Sequence, residues 1–190
     1  MSFTLPDRFE TERLILRRYQ AGDGPLYYAA GQKNRAHLQR YEAGNVILSP
    51  KNEAEAEAVV LDLSDEWDQR RAFFLGTFAK AGGEFVGQVY VGVVNWETPE
   101  FEVGYIVDQD HEGQGYVTEA VRAVVKLIFE CLDAHRVRLQ CDDTNLRSKR
   151  VAERCGFLRE GHLRENHRYP DGSFSGTYLY GLLREDYELG

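Results

Sequence analysis

The segment YIVDQDHEGQGYVTEAV, from Tyr105 to Val121, constrains the fold more than any other: an alternating strand, a turn with two glycines, then a strongly periodic helix. Phe101, Val103, Tyr105 and Val107 alternate with Glu102, Gly104 and Ile106, the period of a strand with two different faces. Beyond the turn, Val117, Val121, Val124, Val125, Ile128 and Leu132 recur at helical spacing, with Glu119, Arg122, Lys126 and Glu130 elsewhere. Gly113 and Gly115 let the backbone approach a ligand closely, and the opening helix offers unpaired N–H groups and a positive dipole end. Such a turn can hold phosphates without many lysines. It is equally the form of a plain strand-to-helix connection, and short glycine motifs misfire often. Spacing excludes two nucleotide folds: Thr118 stands where a dinucleotide fingerprint needs its third glycine, and no GxxxxGK[ST] loop occurs.

Around this segment the pattern alternates between strands and helices. Residues 11–19 read as a half-buried strand, with Leu14 and Leu16 set against Arg13 and Arg17. Helices are expected over 23–41 and 51–71, the second with Glu53, Glu55 and Glu57 early and Arg70 and Arg71 late, the order the helix dipole prefers. Residues 72–78 and 84–96 form an antiparallel pair joined through Lys80-Ala81-Gly82-Gly83. A short strand over 136–141, a helix over 145–155 stopped by Gly156, and two strands around Pro170-Asp171-Gly172 complete the chain. With no repeat and no low-complexity linker, residues 1–190 are expected to form one α+β domain.

Composition narrows the function. With 31 Asp and Glu against 23 Lys and Arg, the net charge is -8, which disfavours duplex DNA because non-specific affinity needs cations that displace condensed counterions. No nucleic-acid partner is expected; a small cationic acceptor suits the charge better. Three cysteines without a CxxC pairing indicate neither a disulfide framework nor a zinc ribbon and fit a reducing cytoplasm. No signal-like start and no long apolar run point to a membrane. Histidines lie scattered without HExxH spacing, so no metal is expected, and the absence of GxSxG leaves a serine hydrolase without support.

Taken together, EVGYIVDQDHEGQGYVTEA and NLRSKRVAERCGF resemble the GNAT superfamily of N-acetyltransferases, specifically its RimJ/RimL-like branch, and the opening TERLILRRY is similar to that branch too. The resemblance implies a mixed, mostly antiparallel sheet flanked by helices, with splayed central strands forming an acetyl-CoA cleft. The pantetheine arm would lie between 103–107 and 136–141. The pyrophosphate would meet the amides of Glu112, Gly113, Gln114, Gly115, Tyr116 and Val117, with backbone groups near Ile106 and Val107 facing the developing oxyanion. The family pattern Gln/Arg-x-x-Gly-x-Gly/Ala falls on Glu112, Gly115 and Val117, so the central glycine alone matches, and Glu112 cannot donate as Gln or Arg would.

The same resemblance implies direct attack of a primary amine on the thioester of acetyl-CoA, with no covalent enzyme intermediate. The amine is a protein N-terminus or a small molecule such as a polyamine or aminoglycoside; a non-catalytic acyl-CoA sensor is the other reading. An ammonium must first lose a proton, and Glu102 is the first candidate base, with His167 as the alternative. Asn145 would contact the cofactor amide, and Ser148 would protonate or hydrogen-bond the leaving thiolate, because Ala152 occupies the position where many GNAT enzymes carry a tyrosine acid. Without the family, Glu102 is a solvent-facing strand glutamate, His167 a surface histidine, Asn145 a helix N-cap and Ser148 a helix-surface residue. Tyr105 and Tyr116 read as packing residues with wet hydroxyls. The assembly is left open between monomer and homodimer.

Overall fold

The computed structural model describes residues 4–189. In chain order these form β1 (Arg8–Glu10), β2 (Leu14–Arg18), α1 (Gly24–Leu38), α2 (Glu53–Asp68), β3 (Ala72–Ala79), β4 (Phe85–Asn95), β5 (Glu100–Val107), α3 (Tyr116–Cys131), β6 (Arg136–Asp142), α4 (Leu146–Arg154), β7 (Leu158–Arg168), β8 (Phe174–Leu183) and α5 (Arg184–Leu189). One eight-stranded sheet runs in the order β1-β2-β3-β4-β5-β6-β8-β7. Every neighbouring pair is antiparallel except β5 and β6, so the sheet is mixed and mostly antiparallel, as expected.

Local chemistry sets the element ends and corrects several expected boundaries. The strand expected over 11–19 begins only at Leu14, because the Thr11 N–H turns back onto the Leu14 carbonyl at 2.9 Å, closing a turn after the unforeseen β1. The helix expected over 51–71 starts at Glu53, where the Asn52 side chain accepts from the Glu55 N–H at 2.9 Å. It ends at Asp68, and Arg70 just beyond takes a φ of 54°, which no helix continues through. The helix expected over 23–41 stops at Leu38, with Pro25 in its first turn, where a missing N–H costs nothing.

Two apolar layers cover the faces of the sheet. On one, Val121, Val124, Val125, Ile128 and Phe129 of α3 pack against Phe101 and Val103 of β5 and Val137 and Leu139 of β6. Each such side chain, fully removed from water, contributes roughly 1.5–3 kcal/mol before conformational entropy is set against it. On the other, Tyr27 and Ala30 of α1 and Ala56 and Val60 of α2 cover Tyr19 and Ile106. The alternation along β5 therefore sends Phe101 and Val103 to one layer and Ile106 to the other, so this strand is buried on both faces.

The parallel pair is short. β5 and β6 are in register only at Glu100 with Arg136, Phe101 with Val137 and Glu102 with Arg138. From Val103 onward β5 keeps β4 as its partner on one edge and, among the described residues, has no strand on the other. The sheet splits at its centre, and α3 and α4 begin beside the opening.

Candidate active site

The split opens into a cleft of about 700 Å³, lined by the end of β5, the turn into α3, the start of α4 and the segment that follows α1. Ile106, Val107, Glu112, Gly113, Gly115, Tyr116, Val117, Asn145 and Ser148, singled out from sequence, all face it. Gln114 does not. Its side-chain amide donates to the Asp110 carbonyl at 3.0 Å, and its own carbonyl accepts from Arg13 at 3.0 Å, which turns the residue out of the opening.

The turn is built to leave donors free. Gly113 and Gly115 have φ of 73° and 82°, a region that costs other residues roughly 1–2 kcal/mol. Gly115 is the N-cap of α3 and supplies no side chain to accept from the first-turn N–H groups. A Cβ at Gly113 would meet nothing within 4 Å, so space lies in front of the turn. Free N–H groups at a positive helix end, facing open space, are the donor set a phosphate oxygen requires.

Several interactions hold this turn in place. Asp108, buried at the end of β5, accepts from Lys33 (2.8 Å), Asn34 (2.9 Å), the Asp110 N–H (3.1 Å) and His111 (3.1 Å). Burial pushes its carboxyl up, but these hydrogen bonds outweigh burial and hold it below the usual aspartate range. Glu119 in the first turn of α3 accepts from Thr11 and from both the backbone and the guanidinium of Arg13. The Arg13 guanidinium also lies 4.5 Å over the Tyr116 ring. Glu112 spans the cleft mouth, its carboxylate paired with Arg147 of α4 and 3.5 Å from His37 of α1.

Opposite the turn, the Asn145 side chain accepts from the Ser148 N–H at 3.1 Å, so it caps α4. The Ser148 hydroxyl is 2.7 Å from the Tyr105 hydroxyl, which also reaches the Ser148 carbonyl at 3.1 Å. Tyr105 packs against the apolar layer of Phe101 and Val103, as expected, but its hydroxyl is not simply wet: it is hydrogen-bonded to Ser148 of α4. Burial raises its pKa well above the ordinary value, the bond to Ser148 offsetting this only in part, so the phenol keeps its proton. Burial likewise pushes the thiols of Cys141 and Cys155 up to about 11, leaving them neutral and poor nucleophiles at physiological pH.

Neither residue expected to act as the base lines the opening. Glu102 sits in the paired part of β5, where the Arg138 guanidinium from β6 donates to its carboxylate at 2.7 Å. His167 is exposed on the edge strand β7 and packs edge-on against Tyr169. Sequence reading foresees neither the bond from Tyr105 to Ser148 nor the part of Arg13 in holding the turn. Alternation along β5 already places Tyr105 on the face of Phe101 and Val103, but no local pattern marks Arg13, whose contacts with Gln114, Tyr116 and Glu119 are distant in sequence.

Residues 13–158 match the family model described as "Acetyltransferase (GNAT) domain". The chain is 28% identical over 178 residues to the uncharacterized N-acetyltransferase YnaD of Bacillus subtilis (strain 168), covering 93% of this chain and 97% of that protein. It is 25% identical over 192 residues to the [ribosomal protein uS5]-alanine N-acetyltransferase of Escherichia coli (strain K12), covering 96% and 94%. Among solved structures, a RimL ribosomal L7/L12 alpha-N-protein acetyltransferase in complex with coenzyme A superposes with a TM-score of 0.81 at 21% identity, covering 94% of this chain and 97% of that one.

Proposed function

The chain belongs to the GNAT acetyltransferase family, in its RimJ/RimL-like branch, and we propose that it moves the acetyl group of acetyl-CoA onto a primary amine of a protein, most simply an N-terminal amine. The observation that carries this reading is the uncapped N-terminus of α3 behind two positive-φ glycines, opening onto the gap where β5 and β6 part. The N–H groups from Gly113 to Val117 would hold the pyrophosphate, and Arg150 and Arg154 of α4 add positive charge along the same wall. The unpartnered edge of β5 would take the pantetheine amides, and a main-chain N–H near Ile106 or Val107 would donate to the oxyanion. The relatives named for ribosomal proteins support a protein acceptor.

Ser148 and Tyr105 supply the acid side. The serine hydroxyl would give its proton to the departing sulfur, and the phenol, hydrogen-bonded to it, stabilises the alkoxide until the proton is replaced. With both neighbouring thiols neutral, direct attack by the amine is favoured over an acyl-cysteine.

Titrating acetyl-CoA into protein labelled with nitrogen-15 tests the binding mode. The amide signals of Gly113 to Val117 should shift at saturation, and CoA thiol should be released on adding peptides with free N-termini. Unmoved turn amides would remove the basis for the transferase, whereas tight binding without thiol release across amines would identify a sensor.

A further inference from the structure

Within the cleft the lining carboxylates are Glu42 and Glu112. Glu112 is engaged on both sides, by Arg147 and by His37. Glu42 makes no ion pair among the described residues; the Asn45 amide donates to one of its oxygens at 3.1 Å. Its place is fixed by the backbone. The Glu42 N–H donates to the Leu38 carbonyl at 2.8 Å, and the preceding Tyr41 hydroxyl meets the Thr144 carbonyl and hydroxyl at 3.4 and 3.3 Å, pinning the segment to the turn that starts α4.

We propose that Glu42 is the base that takes the proton from the acceptor ammonium. This rests on the acetyl-transfer reading above. Glu42 lines the same opening as Tyr105 and Ser148, and Glu102 is tied to Arg138 outside it. Burial pushes the Glu42 carboxyl above its usual value, against the Asn45 hydrogen bond, which makes it a stronger proton acceptor than an exposed glutamate. The charged and titratable groups sharing the opening are His37, Arg40 and Tyr41 beside it in the chain, and Tyr105 from β5. Across it lie His111, Glu112 and Tyr116 of the turn and Arg147, Arg150 and Arg154 of α4.

One ammonium proton passes to a Glu42 oxygen, and the freed lone pair forms the N–C bond at the thioester carbonyl. The C–S bond then breaks, and the sulfur takes the Ser148 hydroxyl proton. A second nitrogen proton, released as the amide forms, restores Ser148. Glu42 returns its proton to water, so the net products are the amide, CoA thiol and one proton.

Glu42→Gln and wild type are compared for thiol release with a peptide bearing N-terminal alanine, one bearing N-terminal serine, and spermidine, alongside acetyl-CoA affinity by calorimetry and thermal unfolding. The expected result is a kcat about 100-fold lower at neutral pH, unchanged acetyl-CoA affinity, and no loss of thermal stability, since the variant removes a half-buried charge that has no ion-pair partner among the described residues. The deficit should shrink as pH rises through the amine's own pKa, about 8 for an N-terminus, where solution supplies free amine. A pH-independent deficit, or activity within about threefold of wild type, overturns the assignment while leaving the transferase reading intact. Thiol release absent in wild type with every amine overturns both. Should Glu42→Gln fail to fold, Glu42→Asp decides: a partial, pH-dependent deficit supports the base, and a pH-independent one overturns it.

Discussion

At Ser148 the chain departs from the family habit of a tyrosine on the same helix, one turn on, where Ala152 stands, and the structure restores a phenol from β5 instead. Tyr105→Phe keeps the ring in the apolar layer and deletes the hydroxyl, so Ser148 loses the partner that would stabilise its alkoxide in the proposed mechanism. The expected kcat loss is about tenfold, against about a hundredfold for Ser148→Ala, both with acetyl-CoA affinity retained. Steady-state rates with calorimetry check this, and equal losses in the two variants would make Tyr105 as important as the serine. Glu112 poses the opposite problem. Its carboxylate faces the space expected for phosphates and occupies Arg147, the cation nearest to it. Glu112→Gln removes that charge and frees Arg147, so acetyl-CoA should bind roughly fivefold tighter, the effect of ~1 kcal/mol between charges a few ångströms apart in a solvated site. Weaker binding in calorimetry would mean that the Glu112–Arg147 pair shapes the site instead of blocking it.

Helix ends shape the cleft: α3 meets it through its first turn, and α4 begins beside it and lines one wall. Gly115→Ala places a Cβ 3.5 Å from the Arg13 guanidinium, an ordinary contact, so its cost comes from the φ of 82°. That strain is roughly 1–2 kcal/mol, relieved by rotating the turn and its N–H groups away from the cleft. Acetyl-CoA affinity should therefore fall about tenfold or more, with a modest drop in the urea midpoint; unchanged affinity in calorimetry would exclude the turn as the phosphate site. Most of these elements are legible in the sequence because strong periodicity drives them: α3 follows from its valines, and the β3–β4 and β7–β8 hairpins follow from their turn residues. The splay of β5 from β6 is not legible, since it reflects where pairing stops, not which residues alternate. Strand β1 escapes notice because three residues carry too little pattern, and Glu42 escapes because the cleft it lines is completed by β5 and α4, more than sixty positions away. The partner of Glu102 is hidden for a related reason: alternation gives its face, but only the parallel register reveals Arg138 opposite.

The whole molecule is stitched around the cleft by carboxylates that hold hydrogen bonds between distant elements. Glu119 ties α3 to the β1–β2 turn, Asp108 ties β5 to α1, and Asp142 ties the end of β6 to the β7–β8 hairpin. Asp142 accepts from Thr144 (backbone 2.8 Å, hydroxyl 2.6 Å), from Tyr169 (2.6 Å) and from Ser175. For all three, burial raises the pKa, yet the hydrogen bonds outweigh burial and leave it lowered. A lowered folded pKa means the unfolded chain binds more protons as pH drops toward the ordinary values of 3.8 for aspartate and 4.5 for glutamate. The stability these groups contribute is thus fully present above those values and is lost as pH falls through the lower, folded ones. Urea midpoints should be flat above about pH 6 on this account and decline steeply between about pH 5 and 3. Asp142→Asn, which keeps the side chain's shape but cannot titrate, should start less stable at neutral pH and lose less on acidification, so the two curves converge at low pH. Parallel curves would mean that Asp142 contributes nothing to the acid sensitivity and that the end of β6 is held by packing alone.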